Sequence, residues 1–102
     1  MRSDRQAEII RRLHCAAGHL EAVIRMAEAG RSCEEVLHQL NAVQSALSAA
    51  AIRIIHCQAQ SSRDLILSSP SLNERTAELK RLQALYMILT QHFKHTSGVI
   101  YD

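Results

Sequence analysis

Val36, Leu40, Val43, Leu47, Ala50, Ile54 and Cys57 recur four and three residues apart in alternation. Side chains at that spacing share a face only if the backbone turns about every 3.6 residues, so this heptad-like seam commits the middle of the chain to one long helix. Ser32 and Glu35 form a capping box at its start, and the helix is expected over 32–67. At about 1.5 Å per residue it measures roughly 50 Å, well beyond the ~30 Å across a small domain.

Two shorter helices flank it. Ser3 with Gln6 makes a capping box ahead of Ile9, Ile10, Leu13, Ala16, Leu20, Val23, Ile24 and Met26, which predicts a helix over 4–29. Gly30 supplies its stop, because glycine takes the left-handed conformation that ends a helix at little steric cost. "SSPS" at 68–71 breaks the chain again, and Ser71 with Glu74 opens a third helix over 71–95. That helix carries Leu72, Leu79, Leu82, Leu85, Tyr86, Leu89 and Phe93, and residues 96–102 are expected as a frayed tail. One Pro and three Gly leave too little turn material for a many-stranded fold, and with no Trp and one Phe the core must be aliphatic. At 102 residues the chain suits a single helical domain.

The first helix is too short to cover the second. "SALSAAAIRII" at 45–55 places alanines on several faces, where other helices can approach closely. The expected fold is therefore all-α, with three helices per chain. Two chains would pair antiparallel into a four-helix bundle, as a homodimer or as a dimer of dimers (homotetramer). A monomeric three-helix bundle is the alternative.

No apolar run approaches the ~20 residues of a membrane span, and "MRSDRQAEIIRR" is charged from the start rather than leader-like. Three cysteines, an odd number in helical segments, suit reduced thiols in a cytoplasmic protein. No Gly-rich phosphate loop, paired catalytic carboxylates or Ser/His/Asp set is present, so an enzyme is not expected. The net charge of +2 is mild for a nucleic-acid binder, although oligomerisation multiplies a weak patch. Arg2, Arg5, Arg11 and Arg12 form a basic strip, with His14 beside it, that could touch a duplex.

Arg12, Leu13, Gly18, Arg25-Met26, the Gly30-x-x-Cys33 joint, Val36-Leu37, the run from Gln39 to Leu47, and Ala51 together resemble the small all-helical bacterial repressors of the CsoR/RcnR/FrmR type. The likeness runs without a gap over about half the chain, and "ERTAELKRLQAL" is a weaker match to that family's last helix. Members respond to copper, to nickel or cobalt, to formaldehyde or to sulfur species. The resemblance implies a ligand-responsive repressor that binds operator DNA, and a transition-metal ion (copper, nickel or zinc) as candidate cofactor.

It also implies that Cys33 is the sensing cysteine. The family's next ligands, a histidine and then a Cys or His one turn later, come from the other subunit and fall here on Gln58 and Ser62. An acid that the copper sensors keep beside their ligands falls on Glu78, with a surface glutamate as the other reading. The proline used by formaldehyde sensors is replaced at the start by Met1-Arg2. On the DNA side Arg12 matches, while Cys15 and Gln44 stand at arginine positions. These departures keep open a second function: a helical oligomer without DNA affinity that binds a metal or thiol-reactive ligand, or serves as a partner subunit.

The candidate metal- or thiol-sensing residues are thus Cys33, Cys57, His56 and Glu78. Cys33 sits at a helix N-terminus, where the macrodipole favours a thiolate, although Glu34 and Glu35 oppose this. Cys57 lies on the seam, as a small core residue or as a second thiol facing Cys33 across a dimer in a redox or persulfide switch. His56 and Cys57 are adjacent and so point about 100° apart on a helix. Cys15 and His19, one turn apart, can chelate one ion. His38, His92 and His95 are expected to be solvated.

Overall fold

The computed structural model describes residues 3–98, with side chains from Asp4 to Gln91. The expectations for the Ser3 cap, for His92, Phe93 and His95, and for residues 99–102 therefore lie outside the described residues or side chains. Helix α1 spans Ser3–Glu28, α2 spans Cys33–Ser68 and α3 spans Leu72–Gly98; no strand occurs among the described residues. The chain is all-α. Helix α3 runs three residues past its expected end at 95, into the stretch read as a tail.

The joint between α1 and α2 is set by backbone chemistry. The Gly30 N–H donates to the Ala27 carbonyl at 3.1 Å and the Arg31 N–H to that of Met26 at 3.1 Å, while Gly30 has φ of 75°. These are the two crossed bonds of a Schellman motif, with glycine in the left-handed position. A Cβ at Gly30 would meet nothing within 4 Å, so the cost of a side chain there lies in the backbone alone. Gly30→Ala is expected to lower stability by about 1–2 kcal/mol in chemical denaturation. An unchanged midpoint would contradict the role given to this residue.

Both later helices begin one residue after their expected start, because the serine read as the first residue is the cap. The Glu35 N–H donates to Ser32 Oγ and the Glu74 N–H to Ser71 Oγ, each at 3.2 Å. The return half of each box is not made. Glu35 instead accepts from Arg31 at 2.7 Å, and Glu74 accepts from Ser69 Oγ at 3.1 Å. Each side chain has found a nearby donor ahead of the helix.

The chain divides into two compact units, Arg2–Arg53 and Ile54–Asp102, with the division inside α2. In the first, Ile9, Ala16 and Val23 of α1 and Val43 and Ala50 of α2 are buried. All recur seven residues apart, and the alanines allow close helix approach. Beside this row an apolar row is left open: Ile10, Leu13, Leu20 and Ile24 of α1, with Leu37 and Leu47 of α2, are each between 39% and 58% exposed.

The expected seam is therefore split: Val43 and Ala50 face α1, whereas Leu47 remains at the surface. In the second unit Ile55, Cys57 and Ser62 are buried and Ile54 is open. None of the described α3 side chains is fully buried. Leu82, Leu85 and Leu89 are half-buried, but Leu72, Leu79 and Tyr86, expected in the core, are exposed. A helix packed along one side hides only part of its apolar circumference.

Candidate sensing residues and cationic face

Cys33 is the first residue of α2, and its side chain is exposed. It borders a shallow, largely apolar depression of about 310 Å³ lined by Ala27, Arg31, Val36, Leu37 and Leu40. Glu34 and Glu35 occupy the same first turn. The Arg31–Glu35 ion pair spans the joint, so one of the two carboxylates is already compensated.

Cys57 and His56 are not brought together. Cys57 is buried at 4% exposure, while His56 is exposed and meets the Gln60 amide at 3.4 Å. Adjacent helical positions diverge by about 100°, and the buried face takes the thiol.

Glu78 is half-buried, its side chain 13% exposed, and it anchors a polar network. Ser62 Oγ donates to Glu78 Oε1 at 2.6 Å, and the Gln58 amide donates to Ser62 Oγ at 3.1 Å and to the same carboxylate oxygen at 3.4 Å. Arg81 lies 3.8 Å from that oxygen. Ser62 is wholly buried, and its hydroxyl gives that carboxylate oxygen its shortest hydrogen bond.

From the sequence Glu78 is either an acid kept beside the ligands or a surface glutamate, and Gln58 and Ser62 fall at ligand positions. Their spacing of one helical turn was the signal that they could act together. Ser62→Ala is expected to cost about 1–3 kcal/mol, because a buried acceptor loses its shortest bond. Equal stability of the two proteins in urea would contradict this.

No group of three or more His, Cys, Asp or Glu side chains with metal-binding proximity exists among the described residues. Cys15 and His19, read as a possible chelating pair, do line a common pocket, but His19 Nε2 is engaged as donor to Gln39 Oε1 at 2.8 Å.

The cationic face lies on α1. Glu8 accepts from Arg11 Nε at 3.1 Å and Nη2 at 2.8 Å, and from Arg12 Nε at 3.0 Å. The Arg11 hydrogen bond holds the Glu8 carboxyl below its usual range, and the same bond raises the Arg11 guanidinium above its own. With its folded value depressed, Glu8 supports α1 above the ordinary carboxylate range, and that support is lost as pH falls through the lowered value. One carboxylate against two guanidiniums leaves the cluster net positive. Arg5 is half-buried and His14 exposed on the same helix, and Gln44 of α2 is exposed; Arg2 lies outside the described residues.

Comparison with known proteins adds a family to this geometry. Over 54 residues the chain is 41% identical to the copper-sensing transcriptional repressor CsoR of Mycobacterium ulcerans (strain Agy99). The match takes in 53% of this chain and 46% of the relative, so it spans about half the length of that protein. No solved structure gives a significant match. The profile of the family described as metal-sensitive transcriptional repressor matches residues 5–90, which include nearly all of α1, the whole of α2 and most of α3. The chain belongs to the metal-sensitive transcriptional repressor family.

Proposed function

We propose that this protein is a homodimeric, DNA-binding transcriptional repressor whose operator affinity is set by chemistry at Cys33. The observation that carries the reading is the family match over residues 5–90. Two features support it. The open row of Leu13, Leu20, Ile24 and Leu47 is the surface a second copy would cover, and Arg11 and Arg12 give α1 a net-positive face for phosphates. Covering that row closes a four-helix bundle from α1 and α2 of each chain, and two such dimers can pair.

A thiophilic metal fits poorly. The resemblance puts the ligands that complete the Cys33 site at Gln58 and Ser62, where the chain presents an amide and a hydroxyl already committed to Glu78. Soft ions such as copper(I) select thiolate, thioether or imidazole donors instead. The proposed effector is therefore a thiol-reactive species acting at exposed Cys33, not a copper ion held as the relative's name suggests.

Cys33 and Cys57 are 24 residues apart in the sequence, and the second thiol proposed for Cys33 is Cys57 of the partner subunit. Because Cys57 is buried, Cys33 reacts first, and Cys57 joins only if the bundle repacks. Such a reaction changes DNA affinity only to the extent that it favours one packing over the other.

Cys15 and Gln44, at positions where the resemblance implies arginines, favour the second reading, an effector-binding oligomer without DNA affinity. Fluorescence anisotropy with the DNA upstream of the gene separates the two. A repressor is expected to prefer that DNA over a scrambled duplex and to weaken steeply with salt. Absence of binding at low salt would overturn the repressor reading.

A further inference from the structure

Cys15 stands in a cluster unlike the surroundings of the other two thiols. It is exposed and lines an open pocket of about 240 Å³ with Arg11, Arg12 and His19 of α1 and Ala46 and Ala49 of α2. Arg11, one turn before it, lines the same pocket as the thiol. The nearby carboxylate is Glu8, which neutralises only one of the two guanidiniums. Cys33, the other exposed thiol, sits instead beside Glu34 and Glu35.

The pocket also stays clear of the open apolar row. On α1 the buried row is Ile9, Ala16 and Val23; at 100° per residue Ile10, Leu13, Leu20 and Ile24 fall on one flank of it, and Arg11, Arg12, Cys15 and His19 on the other. A second copy covering the apolar flank leaves the thiol accessible.

We propose that this pocket is a modification site, in which Cys15 captures a small carboxylate-bearing disulfide as a mixed disulfide. Arg11 and Arg12 draw in the anionic reagent and steady its carboxylates. Cys15 gives up its proton and its Sγ attacks one sulfur of the reagent. A Cys15–sulfur bond forms as the reagent's S–S bond breaks, and the departing thiolate takes up a proton. Cys15 is oxidised to the mixed disulfide and the other half of the reagent is reduced to a thiol.

At about 240 Å³ the pocket is smaller than the roughly 300 Å³ at which non-covalent ligand sites begin, so the covalent bond is what retains the ligand. On the repressor reading above, which this consequence rests on, the adduct's carboxylates compete with phosphates for Arg11 and Arg12 and lower DNA affinity.

The test exposes the reduced full-length protein to glutathione disulfide, which is anionic, or to 2-hydroxyethyl disulfide, which is uncharged. Initial adduct rates at Cys15 and Cys33 are read by peptide mass spectrometry. The Cys15-to-Cys33 ratio is expected to be on the order of tenfold higher with the anionic reagent. Arg11→Gln with Arg12→Gln should remove that difference, and Cys15→Ser should remove the α1 adduct. Equal ratios for the two reagents, or a ratio indifferent to the arginines, would overturn the site. A protein that labels as expected but never binds DNA keeps the site and overturns the repressor reading. Loss of DNA affinity on labelling, reversed by a reducing thiol, supports both.

Discussion

Leu47→Glu is expected to abolish self-association of the chain. Leu47 lies on the long helix within a buried-row register, yet is 42% exposed in the single chain, and Leu13, Leu20 and Ile24 are open on α1. In the proposed antiparallel dimer this row becomes core. A carboxylate there loses its water without gaining a cation, at a cost on the order of 3 kcal/mol per copy. A twofold interface carries the change twice, so association weakens by roughly 6 kcal/mol, about four decades in Kd. Sedimentation velocity of the variant should show monomer at concentrations where the parent is dimeric, and circular dichroism should show reduced helix. Leu67→Glu serves as the comparison, because Leu67 is 76% exposed and outside that row. Dimers of undiminished affinity in Leu47→Glu would place the interface elsewhere.

The second large effect falls on DNA binding. Arg11→Gln combined with Arg12→Gln removes two cations from each subunit, four from a dimer. If each engages a phosphate, the slope of log affinity against log salt should flatten by roughly 3.6. Near physiological salt that corresponds to a loss on the order of a hundred- to a thousandfold. The upper end requires Glu8 to be displaced by phosphate without penalty. Left unpaired beside the duplex it adds repulsion, so the triple variant with Glu8→Gln should recover part of the loss. Operator affinity and salt slope unchanged in the double variant would remove α1 from the DNA interface.

What could be read from the chain was what depends on near neighbours. Ser32 and Ser71 cap their helices because a hydroxyl reaches an N–H three residues on whatever the tertiary fold. Gly30 ends α1 because a left-handed residue was needed there. The other half of each capping box was not legible, since Glu35 and Glu74 had competing donors in Arg31 and Ser69 at the preceding joints.

Periodicity identified the long apolar seam but could not divide it. Val43 and Leu47 are equally apolar and one turn apart, yet one meets α1 and the other meets solvent. The same limit applies to α3, where spacing marked Leu79 and Leu82 alike and only the second is half-buried. At the candidate site, Gln58 and Ser62 are in register on one helix, but their partner Glu78 lies on the next helix, past the break at "SSPS". The pocket around Cys15 likewise needed Ala46 and Ala49 of α2 to close one wall that the α1 sequence could not supply.

The association state in solution bears most directly on this picture. Sedimentation equilibrium or light scattering on the reduced protein at micromolar concentration is expected to give the mass of two chains, or four if dimers pair, where one chain is 11.4 kDa. A persistent 11.4 kDa particle would leave Leu13, Leu20, Ile24 and Leu47 facing water and Cys33 without a partner subunit, and would contradict the proposed repressor at its root.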